Sequence, residues 1–322
     1  MRLLVTGGAG FIGSNFIRYF LKKHPNSYIV NFDKLTYAGN LDNLANLQYS
    51  KYYTFVRGDI TNKELVNYIV MTQKIDTIVN FAAESHVDRS ITNSEEFVKT
   101  NIVGTQILLD IAKYYSLRFI QISTDEVYGS LGENGYFTED TPLSPNSPYS
   151  ASKASADLLV RSYHKTYGLN MNITRCSNNY GPFQFPEKLI PLMIINTIQG
   201  KKLPIYGNGK NIRDWLHVED HCSAIDLVIH KGIAGEIYNI GGHNEQTNLE
   251  IVETIVNTLG GSHSLITYVP DRLGHDYRYA LDSSKIQNEL GWNPVFSIKE
   301  GLEETILWYK KNQGWWEQLI TG

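Results

Sequence analysis

The sequence predicts an α/β fold: a doubly wound parallel sheet followed by a smaller C-terminal unit. Two observations carry this. Through the first half of the 322 residues, short apolar or β-branched runs alternate with longer helical patterns. Those runs are continuously apolar rather than alternating, as strands covered on both faces are. After about residue 177 the rhythm changes to shorter, less regular elements.

In chain order the expected strands are "RLLVTG", "YIVNF", "KYYTFVRGD", "DTIVNFAA", "LRFIQIST" and "MNITRCS", with helices near 11–23, 62–72, 94–115 and 149–168 between them. The loop "NNYGPFQFPEKLIP", rich in Pro, Gly and Asn, opens the second unit. The expected division is 1–177 and 178–322, with "HCSAIDLVIH" and "GEIYNI" (within 215–243) rejoining the first sheet as a helix and a strand.

Composition narrows the function classes. A net charge of −4 gives no reason to expect nucleic acid or an anionic membrane as partner. Cys176 and Cys222 are the only cysteines, too few for a disulfide framework or a zinc site. No apolar run approaches the roughly 20 residues of a membrane span, and "MRLLVTGG" enters a strand at once, so the expectation is a cytoplasmic chain.

The first strand runs into glycines and then an amphipathic helix. Gly7, Gly10 and Gly13 fit G-x-x-G-x-x-G, and Gly8, Gly10 and Gly13 fit G-x-G-x-x-G. Such a turn lets backbone approach a pyrophosphate at a helix N-terminus, whose free N–H groups and dipole favour the anion. A glycine pattern alone signals a flexible turn as readily; the strand before and helix after give it meaning. Asp33 ends the second strand, where a carboxylate accepts ribose hydroxyls and repels a 2′-phosphate. NAD in a Rossmann-type fold is the expected cofactor, although Lys34 and Arg57 stand nearby. Asp59 can face the adenine or cap a helix.

Tyr149 and Lys153, four apart, share one helical face. An ammonium beside a phenol favours the phenolate, which can take a proton from a sugar hydroxyl. With 21 tyrosines in the chain the spacing alone is weak, and Tyr163 and Tyr167 on the same helix read as packing.

"TGGAGFIGS" and "YSASK" resemble the extended short-chain dehydrogenases/reductases that act on nucleotide sugars. "STDEVYG", "RCSNNYGPFQFPEKLIP", "GNGKNIRDWLHVEDH" and "RLGHDYRYA" sharpen this to a resemblance to the dTDP-glucose 4,6-dehydratase family over nearly the whole chain. Leu273 departs from the Pro usual in that loop, which puts its rigidity in doubt.

The resemblance gives the adjacent carboxylates a use. Removing water from C5 and C6 of a 4-ketosugar needs a base for the C5 proton and an acid for the C6 hydroxyl. Like-charge proximity raises one of two pKa values and keeps one carboxyl protonated. The resemblance implies Asp125 as acid, Glu126 as base and Thr124 as a hydrogen-bond partner of the C4 hydroxyl; the bland alternative is a cap or a solvent-facing carboxylate. It implies Phe11, Ile12, Thr36, Ile60, Ala83, Ser85, Thr100 and Asn179 at the cofactor. At dTDP-glucose it implies Ser85, His86, Asn178, Lys188, Leu189, Pro204, Tyr206, Arg213, Asn248, Arg272 and His275. Lys188, Arg213 and Arg272 are the expected diphosphate cations. No metal is expected: His86 and Asp88 suggest no third ligand.

Periodicity alone makes Ile107, Leu108, Ile111, Leu158 and Leu159 core, whereas the resemblance implies a homodimer through their two helices. The rival readings are a nucleotide-sugar epimerase, which needs no acid pair, a UDP-sugar 4,6-dehydratase, and a non-catalytic NAD(H) sensor. The sensor would tolerate loss of Tyr149 or Lys153, and both are present.

Overall fold

The structure, a computed structural model, describes residues 1–321. In chain order its strands are β1 (Arg2–Thr6), β2 (Tyr28–Asp33), β3 (Tyr53–Arg57), β4 (Thr77–Asn80), β5 (Arg118–Thr124), β6 (Met171–Cys176), β7 (Asn178–Tyr180), β8 (Leu203–Tyr206), β9 (Ile212–His217), β10 (Ile237–Ile240), β11 (Glu245–Thr247) and β12 (Ile266–Val269). Seven of them form one sheet in the order β10-β6-β5-β4-β1-β2-β3, every pairing parallel. The doubly wound reading therefore holds. The strand order reverses between β1 and β4, which opens a crevice at the C-terminal ends of those two strands.

Helices cover both faces. On one side Phe16, Ile17 and Phe20 of helix Phe11–Lys23 meet Ile225, Val228 and Ile229 of helix Val218–Lys231 over the sheet. On the other, Val66, Ile69, Leu108, Ile111 and Val160 pack on Leu4, Val30, Ile78 and Phe119. Each such side chain, fully buried, contributes roughly 1.5–3 kcal/mol relative to exposure.

The helix expected near 94–115 is not uniform. Glu95–Phe97 passes through a wide π-type stretch, Val98–Gly104, before the regular helix Thr105–Tyr114. Wide turns of this kind concentrate at functional sites. Here it carries Thr100 and Asn101, and the Asn101 amide accepts from Glu84 N–H at 2.9 Å and donates to Ser152 Oγ at 2.8 Å. Leu108 and Ile111 are core, but Leu158 is 54 % exposed, so periodicity misassigned it.

The second half adds a β11-β9-β7 sheet, a β12-β8 pair and a separate core of Ile194, Trp215, Ile255, Leu302, Tyr309 and Trp316. Among the described residues, no helix is long and apolar enough to cross a membrane.

Candidate active site

A single cleft follows the C-terminal ends of β1 to β6. Gly7, Gly10, Phe11, Ile12, Gly13, Asp33, Lys34, Thr36, Asp59, Ile60, Ala83, Ser85, Thr100, Thr124, Asp125, Glu126, Tyr149, Lys153, Asn178, Asn179 and Lys188 all line it. Every residue expected to hold the cofactor or do the chemistry is thus brought to one place.

The glycine turn is tight for a stated reason. Gly7 has φ +67°, and a Cβ there would lie 2.6 Å from the Ala82 backbone nitrogen; a Cβ on Gly13 would lie 2.4 Å from Gly7 O. A side chain at either position would fill the cradle or force β1, β4 and the helix apart. Asp33 accepts from Ala9 N–H at 2.9 Å and Leu35 N–H at 2.7 Å, which fixes its carboxylate at the cleft wall. Burial raises its pKa against those two donors. Asp59 does not cap the following helix, a role Asn62 takes; it holds Thr61 N–H at 2.9 Å and pairs with Lys34 at 2.9 Å. This cradle and carboxylate fit the adenosine and pyrophosphate of a dinucleotide.

Helix Pro148–Tyr167 starts sharply because Ser147 and Ser150 form a capping box and Pro148 sits in its first turn. That places Tyr149 and Lys153, both buried, on the cleft. The pair differs from expectation in one respect. Lys153 Nζ donates to Ile122 O at 2.7 Å. Burial, then the Glu126 carboxylate, push the Tyr149 phenol well up, while burial lowers the Lys153 ammonium against the attraction of Asp157. Desolvation leads at both groups because both are buried, and it disfavours the phenolate and the ammonium alike.

The acid pair sits on a short 3-10 turn, Asp125–Tyr128, at the end of β5. Thr124 Oγ1 accepts Glu126 N–H at 3.3 Å and donates to Asp125 Oδ1 at 3.2 Å, which ties the turn to the Asp125 carboxyl. Burial, then Glu126, raise the Asp125 pKa well above the usual range, and its Oδ2 is buried without a hydrogen-bond partner among the described residues. A carboxyl so placed favours its protonated form, which has an O–H to give. Burial also raises Glu126, but Arg213, Lys188 and Arg272 oppose that rise. Desolvation is the leading cause at both sites and Arg213 opposes it at both; Glu126 and Asp214 add to the rise at Asp125, whereas Lys188 and Arg272 oppose it at Glu126.

Arg213 and Arg272 do not line the cleft, yet they act on Glu126 through space. Arg213 is buried and donates to Asp276 O at 3.0 Å, with Tyr279 beneath it at 4.4 Å. Arg272 pairs with Asp88 at 2.7 Å and lies 5.2 Å over the Tyr206 ring; His275 meets Tyr206 edge-on and pairs with Asp271 at 2.6 Å. Lys188 Nζ donates to Ser85 O at 3.3 Å. His86 faces Glu187 at 3.5 Å. Leu189, Pro204 and Asn248 lie outside the cleft lining, at the start of helix Leu189–Ile198, in β8 and at the start of helix Asn248–Leu259.

Sequence reasoning missed Tyr37, Glu84, Gln184, Phe185 and Glu187, which also line the cleft. Arg89 lies 3.5 Å over Tyr37, Tyr37 meets Phe185 edge-on, and Glu187 pairs with Arg89 at 3.2 Å. Their spacing in the chain carries no periodicity, so only the close approach of distant loops reveals them. One grouping of metal-capable side chains, His24, Asp226 and His230, occurs among the described residues. Lys23 Nζ holds the other Asp226 oxygen at 2.8 Å, so that carboxylate already has an ammonium partner.

Fold and cleft together define a Rossmann-type enzyme of the short-chain dehydrogenase/reductase class. The comparisons narrow this. The family model for GDP-mannose 4,6 dehydratase matches residues 4–305. A dTDP-glucose 4,6-dehydratase of Streptomyces niveus is 52 % identical over 99 % of this chain and 96 % of its own; that of Escherichia coli is 49 % identical over 100 % and 97 %. The crystal structure of the Bacillus anthracis dTDP-glucose 4,6-dehydratase in complex with NAD superposes with a TM-score of 0.94 at 55 % identity, covering 99 % of each chain. A UDP-glucose 4-epimerase of Thermotoga maritima shares the fold at TM-score 0.90 but only 28 % identity, over 97 % of this chain and 100 % of its own. The chain belongs to the dTDP-glucose 4,6-dehydratase family.

Proposed function

We propose that this protein is an NAD-dependent dTDP-glucose 4,6-dehydratase, a hydro-lyase that forms dTDP-4-keto-6-deoxyglucose. The observation that carries it is the placement of Asp125 and Glu126 in the same cleft as Tyr149 and Lys153, with the two carboxyls held in different electrostatic surroundings. An epimerase on this fold has no use for the pair.

Gly7, Gly10, Gly13, Asp33 and Asp59 would hold NAD, with Ala83, Ser85, Lys153 and Asn179 towards its nicotinamide. Bound NAD supplies the acceptor that takes a hydride from C4 and later returns it to C6. The phenolate of Tyr149, which burial disfavours and the positive charges of Lys153 and bound NAD would favour, takes the C4 hydroxyl proton, with Thr124 sharing that hydrogen bond. Glu126 takes the C5 proton, which the C4 ketone has made acidic, and Asp125 gives its proton to the C6 hydroxyl as water leaves; Glu126 then gives a proton back to C5 when the hydride reaches C6. Lys188, Arg213 and Arg272 meet the diphosphate, whose charge suits a bidentate guanidinium.

Residues 1–177 form the cofactor unit in this reading and 178–322 mainly the sugar-nucleotide unit. We also propose a cytoplasmic homodimer. Helices Thr105–Tyr114 and Pro148–Tyr167 pack together and leave Val98, Val103 and Leu158 exposed beside them. Light scattering of Leu158→Lys should then give half the wild-type mass; an unchanged mass excludes that face.

Product mass after incubation with dTDP-glucose tests the function. Loss of one water supports the dehydratase, unchanged mass with altered configuration means an epimerase, and turnover of UDP-glucose alone moves the base specificity.

A further inference from the structure

Behind the cleft lies a buried polar link that the mechanism above does not use. Arg175, on β6, is 1 % exposed and touches both reactive segments. Its Nε donates to Asp157 Oδ2 at 2.8 Å, and Asp157, fully buried, lies one turn beyond Lys153 on the helix that carries Tyr149. Its Nη1 donates to the Tyr128 hydroxyl at 2.9 Å, and Tyr128 closes the turn that begins with Asp125 and Glu126.

The direction of each hydrogen bond is fixed. Guanidinium only donates, so the Tyr128 oxygen accepts and gives its own proton to Asn239 Oδ1 at 2.8 Å on β10. Asn239 in turn donates from Nδ2 to Phe137 O at 3.0 Å, which fixes its amide orientation. Replacing a buried ion pair by apolar side chains is often neutral or stabilising, so this one is weak evidence for stability and better evidence for a geometric role. Asp157 adds an electrostatic one, since its charge favours the ammonium of Lys153 against burial.

We infer that Arg175 is a positioning residue that, through Asp157 and Tyr128, holds the elimination pair in register with the oxidation pair. A sugar held once must meet Tyr149 at C4 and Asp125 and Glu126 at C5 and C6, so the two segments have to keep a fixed spacing. Misplacement of about 1 Å can cost on the order of 100-fold in rate.

The test uses the holoenzyme and Tyr128→Phe, which deletes one oxygen and keeps the ring stacked on Phe137. The inference rests on the dehydratase reading. Expected are a kcat lower by roughly 10–100-fold, a KM for dTDP-glucose within about twofold, an unchanged Tm to within a few degrees, and reduced-nicotinamide absorbance that builds up during turnover because oxidation outruns elimination. Asp157→Asn keeps an acceptor for Arg175 but removes the charge near Lys153; its alkaline limb of kcat should move to lower pH without that build-up. Wild-type rates in Tyr128→Phe, or slower turnover with a large Tm loss and no build-up in either variant, would overturn the positioning role alone. A wild type that removes no water from dTDP-glucose overturns the dehydratase reading and this inference together.

Discussion

The two ends of the cleft are built differently. The cofactor end is made by contiguous stretches at successive strand ends: the glycine turn after β1, Asp33 and Lys34 at β2, Asp59 after β3, Ala83 after β4. At the other end, which we propose takes the sugar diphosphate, Lys188 lines the cleft while Arg213 and Arg272 lie outside its lining; the three come from separate segments of the second half and act on Glu126 through charge. A backbone cradle is all-or-none, because a side chain either fits or collides. A set of cations is graded, since each contributes one attraction among several.

The largest expected effect therefore falls on the cradle. Gly13→Val places a side chain where a single Cβ already meets Gly7 O at 2.4 Å. The purified variant should retain less than about a tenth of the wild-type nicotinamide, read by absorbance after denaturation. Wild-type retention would show that the turn can give way, and the contrast would fail.

Next come the chemical groups between the two ends. Asp125→Asn and Glu126→Gln should each lower kcat by roughly 10²–10⁴ with little change in KM. Asp125→Asn also carries a stability sign. A carboxyl whose folded pKa is raised destabilises the native state as pH rises from its unfolded value near 3.8 through its folded value. The variant should thus melt higher than wild type at pH 7–8, with the gap closing below pH 4. A lower melting temperature at pH 8 would mean that Asp125 is ionised in the fold.

The graded end should respond by degrees. Lys188→Met and Arg213→Met each remove a charge-assisted contact worth about 1.5–3 kcal/mol, hence a KM for dTDP-glucose higher by roughly 10–150-fold, and the effect should shrink as the diphosphate is shortened to a monophosphate in competition assays. Equal losses for both nucleotides would place these cations elsewhere.

The smallest effect lies behind both ends. His217 is buried, meets the Phe296 ring at a tilt with centroids 4.0 Å apart, and has its pKa pushed down by burial to about 4. Its neutral form belongs to the fold, so stability present above pH 6.5 is lost as pH falls towards 4. In His217→Phe that loss should be smaller by up to about 3 kcal/mol, measured as denaturant midpoints at pH 7 and 4.5.

Much of this architecture was legible in the sequence. The six expected strands and the helices 11–23, 62–72 and 149–168 match to within about three residues, because buried strands and capped amphipathic helices write their period into consecutive residues. The glycine turn, the Tyr149–Lys153 pair and the Asp125–Glu126 pair were legible for the same reason: each is a short local pattern on one strand end or one helix face. Less was legible beyond residue 177, where strands of three to six residues give periodicity little length to act on.

What only the tertiary structure decided is electrostatic and long-range. No spacing in the chain tells that burial raises the Tyr149 phenol, that Lys188 and Arg272 favour the Glu126 carboxylate while Asp214 disfavours that of Asp125, or that Tyr37, Phe185 and Glu187 close on the cleft. Nor does it tell that Arg175 reaches Asp157 and Tyr128 at once. Local geometry is set by neighbours along the chain. Desolvation and charge depend on what the fold lays over a group, and that is fixed only when distant segments pack.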